Sequence, residues 1–425
     1  MKNLLLCTLL FPLHLWAQGY TSYFTGNPAN FTTNTETGIC LMGGATENDN
    51  AMRWLLQKAH GGDVVVLRCA GSNGYNDYLY SGLGATINSV ETLVITSAAG
   101  ATNPYVLNKV ANAEMIWFAG GNQYNYVSYF KNNALAALIN QHVNVKHAPI
   151  GGTSAGMAIL CGNYFTAQNG SVTSAAALSN PYNPYVILGN NDFLDVPFLQ
   201  NVTTDTHFDN PDRKGRLMTF LGRVAQDEGI RPFGIAANEY VAVCIDVDGK
   251  AAVYGDYPNY QEFAYFLQAN CQADFAPETC NATFPLRWNR GGEAVKVYKI
   301  PGTMNGTNYF QLSDWQSGSG GSWEHWSVDG GNLLQVNGTA PNCVLELEDF
   351  SKEAVTISPV PFDSQITING FKNGTVTIFD TNGKLVFESN LQDTKSIDTS
   401  EFLSGVYMAV LANAGKTVTK KIIKR

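Results

Sequence analysis

Residues 149–160 read PIGGTSAGMAIL. This stretch joins an apolar run typical of a buried strand to an Ala/Met/Ile-rich helix start, through Gly-x-Ser-x-Gly at residues 152–156. A serine on a tight strand-to-helix turn projects its hydroxyl out of the sheet, and the strained backbone there requires small neighbours. The pattern therefore predicts a nucleophile at Ser154. A glycine-rich connection with an ordinary serine is the alternative interpretation.

A second glycine turn lies upstream. Residues 113–123, AEMIWFAGGNQ, read as an apolar strand that runs into Gly120-Gly121. Such a turn can place a backbone N–H beside the serine, and two converging N–H groups form an oxyanion hole for a tetrahedral intermediate. We therefore expect this turn to face Ser154.

The choice of a general base is narrow because the chain has six histidines. For five of them the sequence context favours other roles. His14 lies in an N-terminal leader, and His60 and His325 lie in polar Gly- or Trp-rich segments. His142 and His147 are expected at surface or capping positions before the serine strand. His207 ends a short β-prone run, NVTTDTHF at 201–208, and is the predicted base. A hydrogen-bonded structural imidazole is the alternative.

A carboxylate is expected to fix the tautomer of that histidine. Glu239 lies at a polar turn between two apolar runs, in GIAANEYVAV at 234–243. A carboxylate at one strand end can reach a histidine at another. Asp205, Asp192 and Asp195 are competitors that spacing alone leaves open.

Three ordered motifs make the pattern specific: GGNQ at 120–123, GTSAG at 152–156 and DTHF at 205–208. Together they resemble the cyanophycinase and peptidase E family of serine peptidases, family S51, over roughly residues 38–300. The resemblance implies an α/β fold, a three-layer αβα sandwich with a mostly parallel, doubly wound sheet of the class I glutamine-amidotransferase type. It also implies a serine-type hydrolase that acts as an exopeptidase.

The resemblance assigns roles to individual residues. It implies a triad of Ser154, His207 and Glu239, an oxyanion hole from the Gly121 and Ala155 amides, and Gln123 holding the substrate main chain. In this family, cyanophycinases release β-Asp-Arg dipeptides from a polymer and peptidase E removes an N-terminal aspartate. The expected reaction is therefore cleavage of a peptide or isopeptide bond next to aspartate.

The chain departs from the cyanophycinase pattern beside the histidine. Cyanophycinases read Asp-Gln-His-Phe followed by Arg-x-Arg-x-x-Arg, whereas here Thr206 replaces the glutamine and only the last two arginines, Arg213 and Arg216, remain. We expect Asp205, Thr206 and the two arginines to contact substrate, since arginine binds carboxylates with forked hydrogen bonds. A solvated helix start is the alternative for the arginines, and an inactive surface binding protein is the alternative for the whole chain.

Composition narrows the class of protein. The chain has 425 residues, 45% hydrophobic and 14% charged, with a net charge of −9. Domains usually have about 100–200 residues, which suggests two or three here. Without a basic patch, nucleic-acid binding is not expected, and no long apolar run beyond the leader predicts a membrane span. The sequence leaves a homodimer open.

Cofactor and metal motifs are not found. The pairs Gly43-Gly44 and Gly120-Gly121 lack a GxGxxG pattern or a Walker lysine, so no cofactor is expected. No CxxC or HExxH spacing occurs, so no metal site is expected. Cys271 and Cys280 flank a short polar loop, and a disulfide between them is expected in an exported protein.

Apolar runs alternate with helical patterns in the first part of the chain, which predicts a parallel sheet with its site at the carboxyl ends of the strands. Strands are predicted at 39–45 (with its glycine turn), 64–67, 90–95, 115–118 and 145–150, and helices at 48–59, 106–111 and 126–140. Trp315, Trp323 and Trp326 are predicted to be core residues of a later β-rich segment, with a stacking surface as the alternative.

Four segments follow from these patterns. They are a signal peptide at 1–17, a catalytic α/β domain at 18–285, a Gly/Trp-rich β extension at 286–350 and a small β-sandwich at 354–425. The last segment resembles the sorting domain of Bacteroidetes type IX secretion substrates through PVPF at 359–362, DTNGK at 380–384, LSGVY at 403–407 and the KKIIKR ending. The resemblance implies recognition by that secretion machinery and a secreted or cell-surface location.

Overall fold

The computed structural model describes residues 18–271, 274–341, 356–369, 373–381, 383–392, 395–413 and 416–425. The chain divides into two compact units, Met1–Pro341 and Asn342–Arg425. The predicted signal peptide lies outside the described residues, as does Asn382 of the DTNGK motif.

The described part of the first unit contains eighteen strands. In chain order they are β1 (Tyr20–Gly26), β2 (Ile39–Met42), β3 (Asp63–Arg68), β4 (Ser89–Ile95), β5 (Met115–Phe118), β6 (Ile150–Thr153), β7 (Asn163–Phe165), β8 (Leu188–Asn190), β9 (Val202–Asp205), β10 (Phe233–Ala237), β11 (Ala242–Ile245), β12 (Lys250–Tyr254), β13 (Phe263–Ala269), β14 (Val295–Pro301), β15 (Asn308–Gln311), β16 (Gly318–Ser319), β17 (Ser322–Asp329) and β18 (Asn332–Asn337).

Its α-helices are α1 (Asp49–Gln57), α2 (Ala98–Ala101), α3 (Pro104–Asn112), α4 (Gln123–Phe130), α5 (Ala134–Asn144), α6 (Ala155–Ala158), α7 (Ser174–Ser179) and α8 (Lys214–Glu228). Side chains cap most of them. For example, the Asn48 carboxamide accepts from the Ala51 N–H at the start of α1, which satisfies a donor that the helix itself leaves free.

A ten-stranded sheet organises the first unit, in the order β1-β4-β3-β5-β6-β2-β11-β12-β15-β16. The five strands β4, β3, β5, β6 and β2 are parallel, and antiparallel strands continue the sheet on both sides. Apolar side chains of α1 pack on one face, and those of α3 and α5 pack on the other. Strands covered on both faces are apolar throughout, which explains runs such as Met115–Phe118. The predicted three-layer αβα sandwich is confirmed.

A second, six-stranded sheet has the order β18-β17-β14-β13-β10-β9. Only β9 and β10 pair in parallel, and helix α8 packs on this sheet through Leu217, Phe220 and Leu221. The strands of residues 286–341 are divided between these two sheets. Strands β15 and β16 join the first sheet, and β14, β17 and β18 join the second. The segment predicted as an extension therefore shares its cores with the α/β region.

The three tryptophans of that segment are core residues, as predicted. Trp326 is fully buried, and Trp315 and Trp323 are partly buried against the main apolar core.

Several local predictions need correction. The strand predicted at 145–150 is observed at Ile150–Thr153, after a turn in which His147 has a φ of 53°. The single helix predicted at 126–140 is two helices, α4 and α5, separated at Asn132, where φ is 61°. Asn133 then caps α5 by accepting from the Leu135 N–H at 3.0 Å.

His142 and Cys280 also differ from the predictions. His142 is buried rather than superficial: its Nε2 donates to the Pro149 carbonyl at 3.0 Å, and burial lowers its pKa to about 4. Cys280 is a free, buried thiol, whereas Cys271 is disulfide-bonded, so the two do not pair.

The second unit is a small antiparallel β structure of two sheets. Its strands are β19 (Thr356–Ser358), β20 (Gln365–Asn369), β21 (Asn373–Asp380), β22 (Leu385–Gln392), β23 (Lys395–Asp398), β24 (Gly405–Asn413) and β25 (Lys416–Lys424). They form a three-stranded sheet, β19-β20-β23, and a four-stranded sheet, β22-β21-β24-β25. Phe362, Ile366, Ile378, Leu411 and Ile422 belong to one shared core, as expected of a small β-sandwich.

Candidate active site

Ser154 lies on a sharp turn between β6 and α6. Its backbone has a φ of 52° and a ψ of −114°, a region that non-glycine residues rarely occupy and that the surrounding structure must enforce. The Ser154 N–H donates to the Met42 carbonyl of neighbouring β2 at 3.0 Å, which holds the turn. The serine is half-buried, and its hydroxyl lines an open cleft.

The glycines on either side of Ser154 are required by close packing. A Cβ on Gly156 would lie 2.2 Å from the Phe118 carbonyl oxygen of β5. A Cβ on Gly152 would lie 2.6 Å from the Gly156 carbonyl carbon. Larger residues would push α6 away from β5 and β6, so the Gly-x-Ser-x-Gly pattern reflects contact between strand and helix backbones.

His207 faces the serine from the end of β9. Its Nε2 lies 2.9 Å from the Ser154 Oγ, and its Nδ1 lies 2.6 Å from the Glu239 Oε1. Strands β9 and β10 are parallel neighbours, so the residues just beyond them, His207 and Glu239, emerge side by side at one sheet edge. The structure thus brings together the three residues predicted as a triad.

Further contacts fix the carboxylate. The Glu239 N–H donates to the Asp209 Oδ1 at 2.9 Å, and the Asn210 side chain donates to the Glu239 Oε2 at 3.4 Å. The competing carboxylates contact other groups: Asp205 pairs with Arg216, Asp192 pairs with Lys131 and Asp195 accepts from Gln200. The geometry therefore favours Glu239 as the partner of the histidine.

The turn Gly43-Gly44, after β2, provides the space for this arrangement. A Cβ on Gly44 would lie 2.3 Å from the His207 Nε2, and a Cβ on Gly43 would lie 2.0 Å from the Asn238 carbonyl oxygen. The Gly43 carbonyl also accepts from the His207 N–H at 2.7 Å. Sequence reasoning treated this pair only as a weak phosphate-turn signal, although its place at the carboxyl end of a parallel strand pointed to the site.

The second predicted glycine turn also faces the serine. A Cβ on Gly120 would lie 3.5 Å from the Ser154 Cβ, whereas one on Gly121, whose φ is 146°, would meet no atom of the described residues within 4 Å. Ala155 is the first residue of α6, and the first N–H groups of a helix have no partner within it. Ala155 therefore directly follows the nucleophile position in the chain, and Gly121 follows the glycine that faces it.

The predicted substrate-binding residues are mostly engaged inside the protein. Arg216 and Asp205 form a buried forked ion pair, and Arg216 also donates to the Ser171 Oγ at 2.9 Å. Arg213 donates to the carbonyl of buried Thr206 at 2.8 Å. Gln123, the first residue of α4, donates to the Phe165 carbonyl through its side chain. The contacts of Asp205, Thr206 and Arg213 brace the turn that carries His207.

The buried pair predicts a large stability effect. Arg216→Met leaves the Asp205 carboxylate without its cation, and breaking a buried pair in this way usually costs about 3–5 kcal/mol. We expect the free energy of unfolding, measured with urea, to fall by that amount. Arg287→Met is the control, because Arg287 and Asp329 form a pair that is 59% and 53% exposed and is expected to contribute less than about 1 kcal/mol. Equal losses in the two variants would contradict the structural role.

The lowered pKa of Glu239 leads us to expect that stability depends on pH. The hydrogen bond from His207, then that from Asn210, lowers the pKa of Glu239 below its usual 4.5 despite the opposing effect of burial. A carboxyl with a lowered pKa stabilises the folded state fully above its usual pKa, and this contribution is lost as the pH falls through the lowered value. We expect the difference in unfolding midpoint between wild type and Glu239→Gln to be largest above about pH 4.5 and to shrink below it.

The control for this measurement is Glu228→Gln, at the exposed end of α8. Its unfolding midpoint is expected to follow that of the wild type across the same pH series. A Glu239→Gln difference that grew towards acidic pH would contradict the role of the His207 hydrogen bond.

A cleft of about 640 Å³ opens beside the serine, a size typical of ligand sites. Ser154, His207, Thr153 and Gly120 line one part of it. Sequence reasoning missed the remaining polar lining, which comes from Glu47, Arg68, Tyr75 and Tyr78. Arg68 is the last residue of β3, the other three follow β2 or β3, and none of the four belongs to a recognisable motif.

Metal ligands and membrane spans were both expected to be absent. Among the described residues, no cluster of three or more His, Cys, Asp or Glu side chains is placed to hold a metal ion. In the same part of the chain, no helix is both long and apolar enough to cross a membrane.

Comparisons with known protein families match two regions of the chain. Residues 69–246 match the model of peptidase family S51, and residues 356–425 match that of the secretion system C-terminal sorting domain. No curated protein matches the chain.

Solved structures with similarity to the chain include the following two. A peptidase from an acI-B1 Actinobacterium has a TM-score of 0.39 and 15% identity, over 54% of this chain and 93% of its own. A putative peptidase E protein from Listeria monocytogenes EGD-e has a TM-score of 0.34 and 18% identity, over 51% of this chain and 97% of its own.

One matched region lies within each of the two compact units. The S51 match contains Ser154, His207 and Glu239, and the sorting-domain match covers the strands of the small β unit. A sorting domain of this kind indicates export by type IX secretion to the cell surface or beyond. The first unit therefore contains a peptidase family S51 region at residues 69–246, and the second contains a secretion system C-terminal sorting domain at residues 356–425.

Proposed function

We propose that this protein is an exported serine peptidase that cleaves peptide or isopeptide bonds next to aspartate through an acyl-enzyme. One observation carries the proposal: Ser154 Oγ, His207 and Glu239 form a continuous hydrogen-bonded chain, with distances of 2.9 and 2.6 Å. A nucleophile bonded to a base, which is in turn oriented by a carboxylate, is the arrangement that activates serine hydroxyls.

The geometry supports a defined sequence of proton movements. Glu239 accepts from the Nδ1–H of His207, which leaves Nε2 free to take the Ser154 proton. The Ser154 oxygen then attacks the substrate carbonyl, and the protonated imidazole returns its proton to the departing amine. Water, deprotonated by His207, next cleaves the ester and restores Ser154.

The negative charge of the tetrahedral intermediate needs hydrogen-bond donors. We assign this role to the Gly121 and Ala155 N–H groups, because Ala155 directly follows Ser154 and Gly121 belongs to the glycine turn whose Gly120 faces Ser154. Removing one such donor typically costs about 10²–10³ in kcat in other serine hydrolases. Gln123 remains a proposed contact to the substrate main chain.

The proposal is tested with a serine-reactive phosphonate and two substrates. The mature protein is treated with the probe, and the labelled residue is mapped by mass spectrometry. Release of β-Asp-Arg from cyanophycin and of aspartate from Asp-initiated peptides is measured in parallel. Labelling of Ser154 together with either release supports the proposal.

Other outcomes separate the parts of the proposal. Labelling without release from either substrate would contradict aspartate specificity while keeping the serine mechanism. Binding of these substrates with no labelling at all would favour a surface binding protein on a peptidase scaffold. Cleavage of Asp-peptides with a blocked amino terminus would contradict the exopeptidase assignment.

A further inference from the structure

We infer that Arg68, which no sequence motif indicates, is the residue that selects a substrate carboxylate next to the scissile bond. This inference rests on the proposed function and deepens it, because it names the group that would recognise an acidic residue. It also moves acid recognition away from Arg216, which is bound internally.

The position of Arg68 carries the first step of the argument. Arg68 is the last residue of β3, a parallel neighbour of β5, and the glycine turn beside Ser154 follows β5. Parallel strands present their carboxyl ends at one edge, so Arg68 lies on the same edge as the nucleophile. Its side chain lines the cleft that Ser154 and His207 also line.

The Arg68 guanidinium is fixed without being neutralised. Its Nη1 donates to the Ser72 carbonyl at 2.7 Å, and its Nε donates to the Ala70 carbonyl. Gly71, whose φ is 91°, lets the loop close around the group, since a Cβ there would lie 2.2 Å from Nη2. Within the described residues, no carboxylate makes an ion pair with Arg68 at 4.0 Å or less. A held, charged fork suits a carboxylate better than a mobile lysine would.

Comparison of the three candidate arginines supports this assignment. Arg216 is 5% exposed, and Asp205 already occupies its fork. Arg213 is partly buried, donates to the Thr206 carbonyl and does not line the cleft. Of the three, Arg68 alone combines an uncompensated charge with a place beside Ser154.

The other polar residues of the cleft restrict where an anion can bind. The Tyr75 hydroxyl donates to the Glu47 carboxylate, and the Tyr78 hydroxyl donates to the Asp49 Oδ1 at 2.9 Å. Burial and then the charge of Glu47 raise the pKa of Tyr75, so this hydroxyl stays protonated. Glu47 would repel a carboxylate placed near it, whereas the Arg68 guanidinium would attract one.

The test compares matched acidic and neutral ligands. Wild type, Arg68→Gln and Arg213→Gln are assayed on Asp-initiated and Asn-initiated peptides, and the ratio of the two kcat/KM values is recorded. A hydrogen bond to a charged group is usually worth enough to give roughly 10- to 100-fold discrimination. We expect Arg68→Gln to reduce the Asp-to-Asn preference by that factor. Arg287→Gln, far along the chain and exposed, is the charge control and should leave the ratio unchanged.

A second readout is independent of peptide turnover. Two serine-reactive phosphonates, one with a carboxylate side chain and one with the matching carboxamide, are compared by their rates of reaction with each variant. The carboxylate preference should fall in Arg68→Gln and be partly kept in Arg68→Lys, which retains the charge but loses the fork. In a Ser154→Ala background, calorimetric affinities for Asp- and Asn-peptides give the same comparison without chemistry.

Failure of the two ideas can be distinguished. A labelled Ser154 with a carboxylate preference that survives Arg68→Gln overturns the Arg68 inference and leaves the serine peptidase standing. Loss of the preference in Arg213→Gln alone overturns it in favour of Arg213. An inert Ser154 overturns the serine mechanism, whereas the calorimetric ratio still decides whether Arg68 binds the acid.

Discussion

Ser154→Ala is expected to lower kcat by roughly 10⁴- to 10⁶-fold while the protein stays folded. Removal of a triad nucleophile in other serine hydrolases costs about this much, and the residual rate comes from the oxyanion hole and substrate binding. Alanine keeps the Cβ and the helix-start geometry, so the substitution removes the 2.9 Å hydrogen bond to His207 and leaves the packing around it in place. A hydrogen bond of this kind is worth about 1 kcal/mol of stability.

The measurement is a single-turnover assay on whichever Asp-containing substrate the wild type cleaves, with urea unfolding in parallel. Ser128→Ala is the matched control, because the Ser128 hydroxyl donates to the Asn125 carbonyl within α4 and is exposed. Its kcat should stay within about twofold of wild type, as most exposed substitutions have small effects. Retained turnover in Ser154→Ala would exclude Ser154 as the nucleophile.

Sequence patterns predicted the parallel part of the fold well, for a physical reason. Strands buried on both faces must be apolar throughout, and such runs are short and bounded by polar turns. The run at Met115–Phe118 has the predicted bounds, and Val64–Leu67 and Val90–Ile95 lie within the observed strands β3 and β4. The helix predicted at 48–59 is likewise α1 with its Asn48 cap.

Predictions failed where long-range contacts decide a local structure. The run Val145–Ile150 was predicted as a strand, yet β6 begins only at Ile150, where pairing with β2 and β5 begins. His142 was expected at a surface or capping position because it lies in the helix before the serine strand. Its side chain instead meets the Pro149 carbonyl across the chain reversal between α5 and β6, a partner that only the folded structure provides.

In the candidate site, too, residues set by local sequence could be predicted, whereas those set by long-range contacts could not. Ser154 could be proposed from the sequence because its turn requires small neighbouring residues. His207 could be proposed because the chain has few other histidines. Glu239 could be narrowed only to four carboxylates, since the choice depends on β9 and β10 being adjacent and parallel. Arg216 was predicted to bind substrate. Its pairing with Asp205 joins α8 to β9, and such a long-range contact leaves no local pattern in the sequence.

Gly44→Ala is expected to reduce kcat by at least about 10²-fold, although Gly44 contributes no side chain to the chemistry. The new Cβ would lie 2.3 Å from the His207 Nε2, and the backbone there has a φ of 118°, which alanine rarely adopts. The imidazole must therefore move, and misplacement of a catalytic group by about 1 Å can cost 10²-fold. The effect should approach that of His207→Ala if the ring leaves Ser154 entirely.

Gly229→Ala separates this steric effect from backbone strain. Gly229, at the end of α8, has a φ of 66°, but a Cβ there meets no atom of the described residues within 4 Å. Alanine at that position should cost about 1–2 kcal/mol of stability and leave kcat unchanged. Full activity in Gly44→Ala would mean that His207 can work from another position, and the 2.9 Å contact with Ser154 would then not be the catalytic arrangement. A loss confined to Gly44→Ala would instead indicate that the glycine turn after β2 is as necessary to the triad as the residues that compose it.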